Sequence, residues 1–178
     1  MSNKQGKTLK GIYMQNLLNR KVVLPFVVLG GNIKELLSQK VAEKFEGKCI
    51  KEGYIKKKSC NIVSYSAGIL KNNNVVFDVM FECLVCKPVE GMKFKVTVKN
   101  ITKAGIRAEY KQDSPIVVFI SRDHSYKNKN FNSINVDDNI YVRVIGIRYE
   151  LNDDFISIIA DLDERKMKRS KINIKIST

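Results

Sequence analysis

The chain has 178 residues, 44% of them hydrophobic and 28% charged, and a formal net charge of +14. No segment approaches the ~18 consecutive apolar residues of a membrane-spanning helix, and no apolar core of signal-peptide length precedes Ile12, so neither a membrane span nor secretion is expected. The charge is uneven. Residues 1–21 carry five basic and no acidic side chains, and residues 165–178 carry six and none, so two basic tails flank a nearly neutral body. Such tails suit either loose association with a polyanion or simple solvation.

Residues 1–11 show no periodicity and are expected to be flexible. Tyr13 to Leu24 reads as a strand, firmest at Val22-Val23-Leu24 and closed by Pro25; Phe26 to Leu29 then leads to Gly30-Gly31. Asn32 with Glu35 three residues on is a capping-box arrangement. Ile33, Leu36, Leu37, Val41 and Phe45 form one apolar stripe on the helix it opens, and Gly47 is a natural stop. Lys48 to Tyr65 is read as a second long strand, bent at Gly53, with Lys56-Lys57-Lys58 exposed. Ser66 to Asn74 is expected to be a loop with Ile69 and Leu70 exposed at its centre.

The stretch Asn74 to Gly91 carries the strongest strand signal. Val75, Phe77, Val79, Phe81, Cys83 and Val85 fall on one parity, and Pro88 ends the run. Its apolar face is expected to back the helix. Beyond Pro88 the pattern is all-β. Met92, Phe94, Val96 and Val98 alternate with Lys93, Lys95, Thr97 and Lys99, and a turn at Thr102 to Gly105 leads into Ile106, Ala108 and Tyr110. Pro115 opens Ile116 to Ile120, apolar on both faces. Residues 121–135 read as a long polar loop with Arg122, His124, Tyr126, Lys127, Lys129 and Phe131, and Asp137-Asp138-Asn139 as a turn. Tyr141 to Leu151 and Phe155 to Leu162 then pair across Asn152-Asp153-Asp154. The fold class is thus α+β followed by all-β: an antiparallel sheet with one helix, then an OB-type, S1-like barrel. The domains expected are 1–11, a flexible basic N-terminus; 12–88; 89–164, the barrel; and 165–178, a basic tail.

An enzyme is not indicated. His124 is the one histidine, and no nucleophile elbow, Walker loop or dinucleotide fingerprint is present. Cys83-Leu-Val-Cys86 lacks a second cysteine pair, and on a strand its two thiols face opposite ways, so packed free thiols are expected for Cys49, Cys60, Cys83 and Cys86. No catalytic residue, metal or cofactor is assigned. A nucleic-acid surface is better supported, because residues 89–130 carry nine basic and four acidic side chains while 131–164 carry two and eight. The competing reading of the basic face is the wet side of an antiparallel sheet.

The order of these elements, with Phe45-Glu46-Gly47-Lys48-Cys49, Gly53-Tyr54-Ile55 and Val85-Cys86-Lys87-Pro88-Val89-Glu90-Gly91, resembles the stalk subunit of multisubunit RNA polymerases, the seventh subunit of eukaryotic RNA polymerase II or its archaeal counterpart. Ser114 to His124 resembles the versions of large DNA viruses, and the Lys, Asn and Ile excess fits an AT-rich genome; a protist nuclear polymerase is the other source considered. The resemblance implies a non-catalytic subunit whose N-terminal tip domain docks on polymerase core subunits in the clamp region. It also implies a barrel facing nascent RNA, a possible fourth-subunit-like stalk partner and no membrane. On that footing the core-docking residues are Gly53, Tyr54, Ala67, Gly68, Ile69, Leu70 and Asn73. The RNA-binding residues are Lys93, Lys95, Lys99, Arg107, Tyr110, Lys111, Arg122, His124 and Tyr126. The location is the site of transcription: virion and host cytoplasm for a viral protein, nucleus for a protist one. The alternative is a free-standing OB-domain RNA-binding factor of the translation-initiation type.

Overall fold

The computed structural model describes residues 11–111, 114–125 and 131–163, with backbone alone for His124 and Ser125. The expectations for both basic tails, and for Tyr126, Lys127 and Lys129, lie outside the described residues. The chain divides into two compact units, split between Lys87 and Pro88, with Glu150–Asp154 belonging to the first.

The first unit is an antiparallel sheet with one helix. Its strands are β1 (Tyr13–Pro25), β2 (Cys49–Ile50), β3 (Gly53–Ile55), β4 (Asn61–Tyr65), β5 (Ile69–Lys71) and β6 (Asn74–Cys86), and its helix is α1 (Ile33–Phe45). The central strand is β6. It pairs with β1 over its whole length on one side and with β5, β4 and β3 in succession on the other. The parity read from the sequence is the buried one: Val75, Phe77, Val79, Phe81, Cys83 and Val85 all face the core. Asn32 caps α1 by accepting the Glu35 N–H at 3.5 Å, and Leu37, Val41 and Phe45 turn inward. The Phe45 and Phe81 rings stack with centroids 5.7 Å apart. Each such fully buried side chain contributes on the order of 1.5–3 kcal/mol in apolar transfer.

Two expectations fail here. Lys48 to Tyr65 is not one strand but the hairpin β2–β3, a turn, and β4. Gly53, at φ 132°, lies so close to the Cys86 carbonyl that a Cβ there would collide with it. The Glu46 carboxylate then gathers three backbone N–H groups, those of Lys58, Ser59 and Cys60, at 2.7, 3.1 and 2.9 Å, with Lys58 in the left-handed region at φ 57°. Those donors cannot also serve a β-ladder. The second failure is the loop 66–74. Its latter part is strand β5, joined to β6 by a turn with Asn72 at φ 54°, a conformation asparagine tolerates better than most residues.

The second unit is a closed barrel of β7 (Lys93–Ile101), β8 (Gly105–Glu109), β9 (Ile116–Ser121), β10 (Asn139–Arg148) and β11 (Ile156–Leu162). The strands follow the order β7, β8, β9, β11, β10 and back to β7, with β9 and β11 parallel and all other pairs antiparallel. Phe94, Val96, Val98, Ile106, Ala108, Ile116, Val118, Ile120, Val142, Val144, Ile156 and Ile158 fill the interior. Gly105 sits against the Ile120 carbonyl with no room for a Cβ, which lets β8 close on β9. Met92, expected inside, is exposed, and its Sδ accepts the Val89 N–H at 3.2 Å in the turn before β7. The expected polar loop 121–135 opens with a helical turn, α2 (Arg122–Ser125), and further on Phe131 begins a 3-10 turn and is buried.

Candidate docking and nucleic-acid surfaces

On the first unit, register brings together residues far apart in sequence. Val23 of β1 stands opposite Val76 of β6, which stands opposite Ile69 of β5, so three apolar side chains form a row across three strands. Leu70 sits at the rim of the same hairpin. The Phe26 N–H donates to the Asn73 carbonyl at 2.9 Å, which ties the 3-10 turn Phe26–Val28 to that hairpin. Leu70 is 62% exposed and Val27 91%. Isolated exposed apolar residues are ordinary, but a contiguous patch marks an interaction surface. Sequence reading found Ile69 and Leu70 and missed Val23 and Phe26–Val28. The signal that could have found them was Val27 and Val28 between Pro25 and Gly30-Gly31, with no periodicity to bury them.

Among the other residues expected to dock, Ala67, Gly68 and Asn73 are exposed. Gly68 is confined by the Val75 and Phe77 side chains, which leave no space for a Cβ. Gly53 and Tyr54 must be corrected, because both are buried. Tyr54 lies between Cys49 and Cys86 in the sheet register, and burial raises the pKa of its hydroxyl. Their part is to build the β2–β3 hairpin rather than to offer surface.

On the barrel, the residues expected to bind RNA separate into three groups. Lys99 occupies the bulge in β7 and lines an outer groove with Thr97, Glu109 and Lys111. Lys95 projects outward opposite Tyr141. Arg107 is exposed on β8, 3.8 Å from Glu109. A second group is engaged within the fold. Lys93 is ion-paired at 2.7 Å with the buried Asp163, and Tyr110 packs edge-on against Phe94 at 5.1 Å with the Lys111 ammonium 5.2 Å above its ring. Arg122 lies over the Phe131 ring at 5.1 Å and donates to the Thr102 carbonyl at 3.4 Å. In the third group, His124 is placed by its backbone in α2, and Tyr126 falls outside the described residues.

The structure adds one residue the sequence did not single out. Phe119 points outward from β9 and is 44% exposed. It stands opposite Arg107 on one side and Ile159 on the other, and all three line a groove of about 400 Å³ running to the Thr102–Gly105 turn.

None of the four cysteines forms a disulfide. Burial pushes the Cys86 thiol up to about 12 and the Cys49 thiol to about 11. Cys60 donates toward Cys83 on the neighbouring strand; that hydrogen bond and burial raise the Cys60 pKa, and the bond lowers that of Cys83. Among the described residues no group of three or more His, Cys, Asp and Glu side chains could hold a metal ion.

A closed five-stranded barrel in this strand order, with cationic and aromatic side chains on its outer face, fits the OB class of oligonucleotide-type barrels. No family model matches the chain. It is 30% identical over 170 residues to DNA-directed RNA polymerase subunit L376 of Acanthamoeba polyphaga mimivirus, covering 86% of this chain and 83% of that one. It is 23% identical over 176 residues to subunit RPB7 of RNA polymerase II from Glycine max and to subunit 7 from Arabidopsis thaliana, covering 84% of this chain and 98% of each. The chain belongs to the RPB7-like family of DNA-directed RNA polymerase subunits. These relatives do not favour a free-standing translation factor. The solution structure of GSP13 from Bacillus subtilis overlaps 45% of this chain and 59% of its own at 13% identity and a TM-score of 0.35, too little to carry an argument.

Proposed function

We propose that this chain is a non-catalytic stalk subunit that docks on the polymerase core, in the clamp region, through its first unit and meets nascent RNA with its barrel. The observation that carries this reading is the uncovered apolar row Val23–Val76–Ile69 on the outer face, with the exposed Leu70 and Phe26–Val28 at the same hairpin end. Apolar surface of that kind gains free energy only when another surface covers it. The core-facing residues are therefore those together with Ala67, Gly68 and Asn73. A fourth-subunit-like chain is a further stalk partner in this reading, and the protein works wherever its polymerase transcribes: virion and host cytoplasm for a virus, nucleus for a protist.

The RNA contacts are Lys95, Lys99, Arg107, Lys111 and Arg122, with His124 and Tyr126 beside them in sequence. Contacts of this kind fall on phosphates, so binding is weak, salt-sensitive and nearly indifferent to sequence. Changing Lys95, Lys99 and Lys111 together to Glu is expected to reduce transcript crosslinking about tenfold or more and to flatten its salt dependence by roughly one unit of slope per lost phosphate contact. Lys93 is left out of the test set because it neutralises the buried Asp163; replacing it would disturb folding as well as charge. Crosslinking equal to the unmodified chain would remove this face from the proposal.

A further inference from the structure

We propose that Phe119 is a stacking platform for an unpaired RNA base, with Arg107 beside it to meet the flanking phosphate. The inference rests on the reading of the barrel as the RNA-facing unit and names the subsite within it.

Phe119 is anomalously placed. An OB barrel buries every second side chain of a strand; in β9 that set is Ile116, Val118 and Ile120, and Val117 of the opposite set is buried as well. Phe119 belongs to the opposite set, where a soluble barrel ordinarily carries polar residues. Its neighbours across the ladder do not cover it. Ile159 is itself 45% exposed, and beyond it comes Gly146, which has no side chain to lean over the ring and open space where one would be. The β-bulge between Val144 and Gly146 interrupts the row there. What remains is an exposed aromatic face with an aliphatic neighbour.

The setting selects the ligand. A protein partner would be matched by a broad apolar area, whereas here Phe119 and Ile159 are bordered by charge. Arg107 lies directly across the ladder, its guanidinium 3.8 Å from Glu109 and so only loosely held. Arg122 does not line the groove: its backbone N–H donates to the Ala104 carbonyl at 3.0 Å and its guanidinium lies over the Phe131 ring at 5.1 Å. An aromatic ring beside a cation, in a cleft of about 400 Å³ open to solvent, suits a flat base with its flanking phosphate. Every base has a π-face, so the platform accepts any unpaired ribonucleotide.

The sequence contains no tryptophan, which supplies a direct test on the full chain. Phe119→Trp places the sole indole on the platform. Its fluorescence is expected to be quenched by a short oligouridylate, with affinity kept. Phe119→Ala is expected to weaken binding of the fluorescein-labelled oligouridylate roughly 5- to 100-fold while leaving the slope of log affinity against log salt unchanged, because stacking releases no counterions. Both variants alter an outward side chain, and an unchanged melting curve checks that the barrel is intact. An unquenched indole at saturating RNA, or wild-type affinity in the alanine variant, would overturn the platform even if the lysine substitutions abolish binding. Loss of polymerase association with RNA affinity unchanged would also overturn it, and would make this a protein interface. An unmodified chain that binds no RNA at all would remove the platform and the barrel's RNA role together.

Discussion

Replacing Ile69 and Leu70 together by aspartate is expected to release the protein from its polymerase while leaving it folded and able to bind RNA. Both side chains are exposed in the free chain, so folding loses little. In the complex they would be covered, and each buried aliphatic side chain contributes about 1.5–3 kcal/mol. Two of them removed, and two carboxylates placed against an apolar partner, amount to a loss of roughly 100-fold or more in association. The patch makes a second variant informative. Val27→Asp lies on a different segment, the 3-10 turn tied to the hairpin through Phe26 and Asn73, and Val27 is 91% exposed; on the proposed docking surface it should weaken association in the same direction. Co-purification of the Ile69→Asp, Leu70→Asp chain in full stoichiometry with the polymerase would show that the docking surface lies elsewhere.

Phe81→Ala is expected to cost about 3–5 kcal/mol of stability, the largest effect of any single side-chain truncation in the first unit. Phe81 is fully buried, lies at the middle of β6 and stacks on Phe45 of α1. Removing the ring leaves a void that β1, β4 and the helix cannot close together, since three elements hold their registers around it. Urea unfolding followed by circular dichroism reads the change. Phe119→Ala, the same substitution at an outward position of the barrel, should shift stability by less than about 0.5 kcal/mol. The contrast separates the phenylalanine that builds the fold from the one assigned to a ligand. A Phe81→Ala chain as stable as the original would mean that the sheet does not pack on α1 as described.

What could be read from the sequence was whatever depends on neighbours a few residues away. The parity of Val75 to Val85 and the stripe of α1 each identify a buried face, because the opposite positions are visibly more polar. The barrel strands were legible for the same reason, helped by Gly105 and Pro115. What failed depends on distant partners. The break between β3 and β4 is fixed by the Glu46 carboxylate, which captures backbone donors twelve to fourteen residues away. Lys93 reads as a free cation until barrel closure brings Asp163 beside it. The run Ile116 to Ile120 is apolar on both faces, so alternation could not say whether Phe119 or its neighbours face out. Only the completed ring of strands decides that. The docking row likewise joins Val23, Val76 and Ile69 from three strands, and no local pattern unites them.

The most direct test of the docking claim is affinity purification of the tagged full chain from cells that make it, under salt high enough to strip nucleic acid, followed by quantitative mass spectrometry. A stalk subunit held by apolar docking should bring down the largest polymerase subunits in about one-to-one ratio with itself, since such contacts are not screened by salt. Recovery of the chain alone, or with ribosomal proteins in place of polymerase, would contradict it.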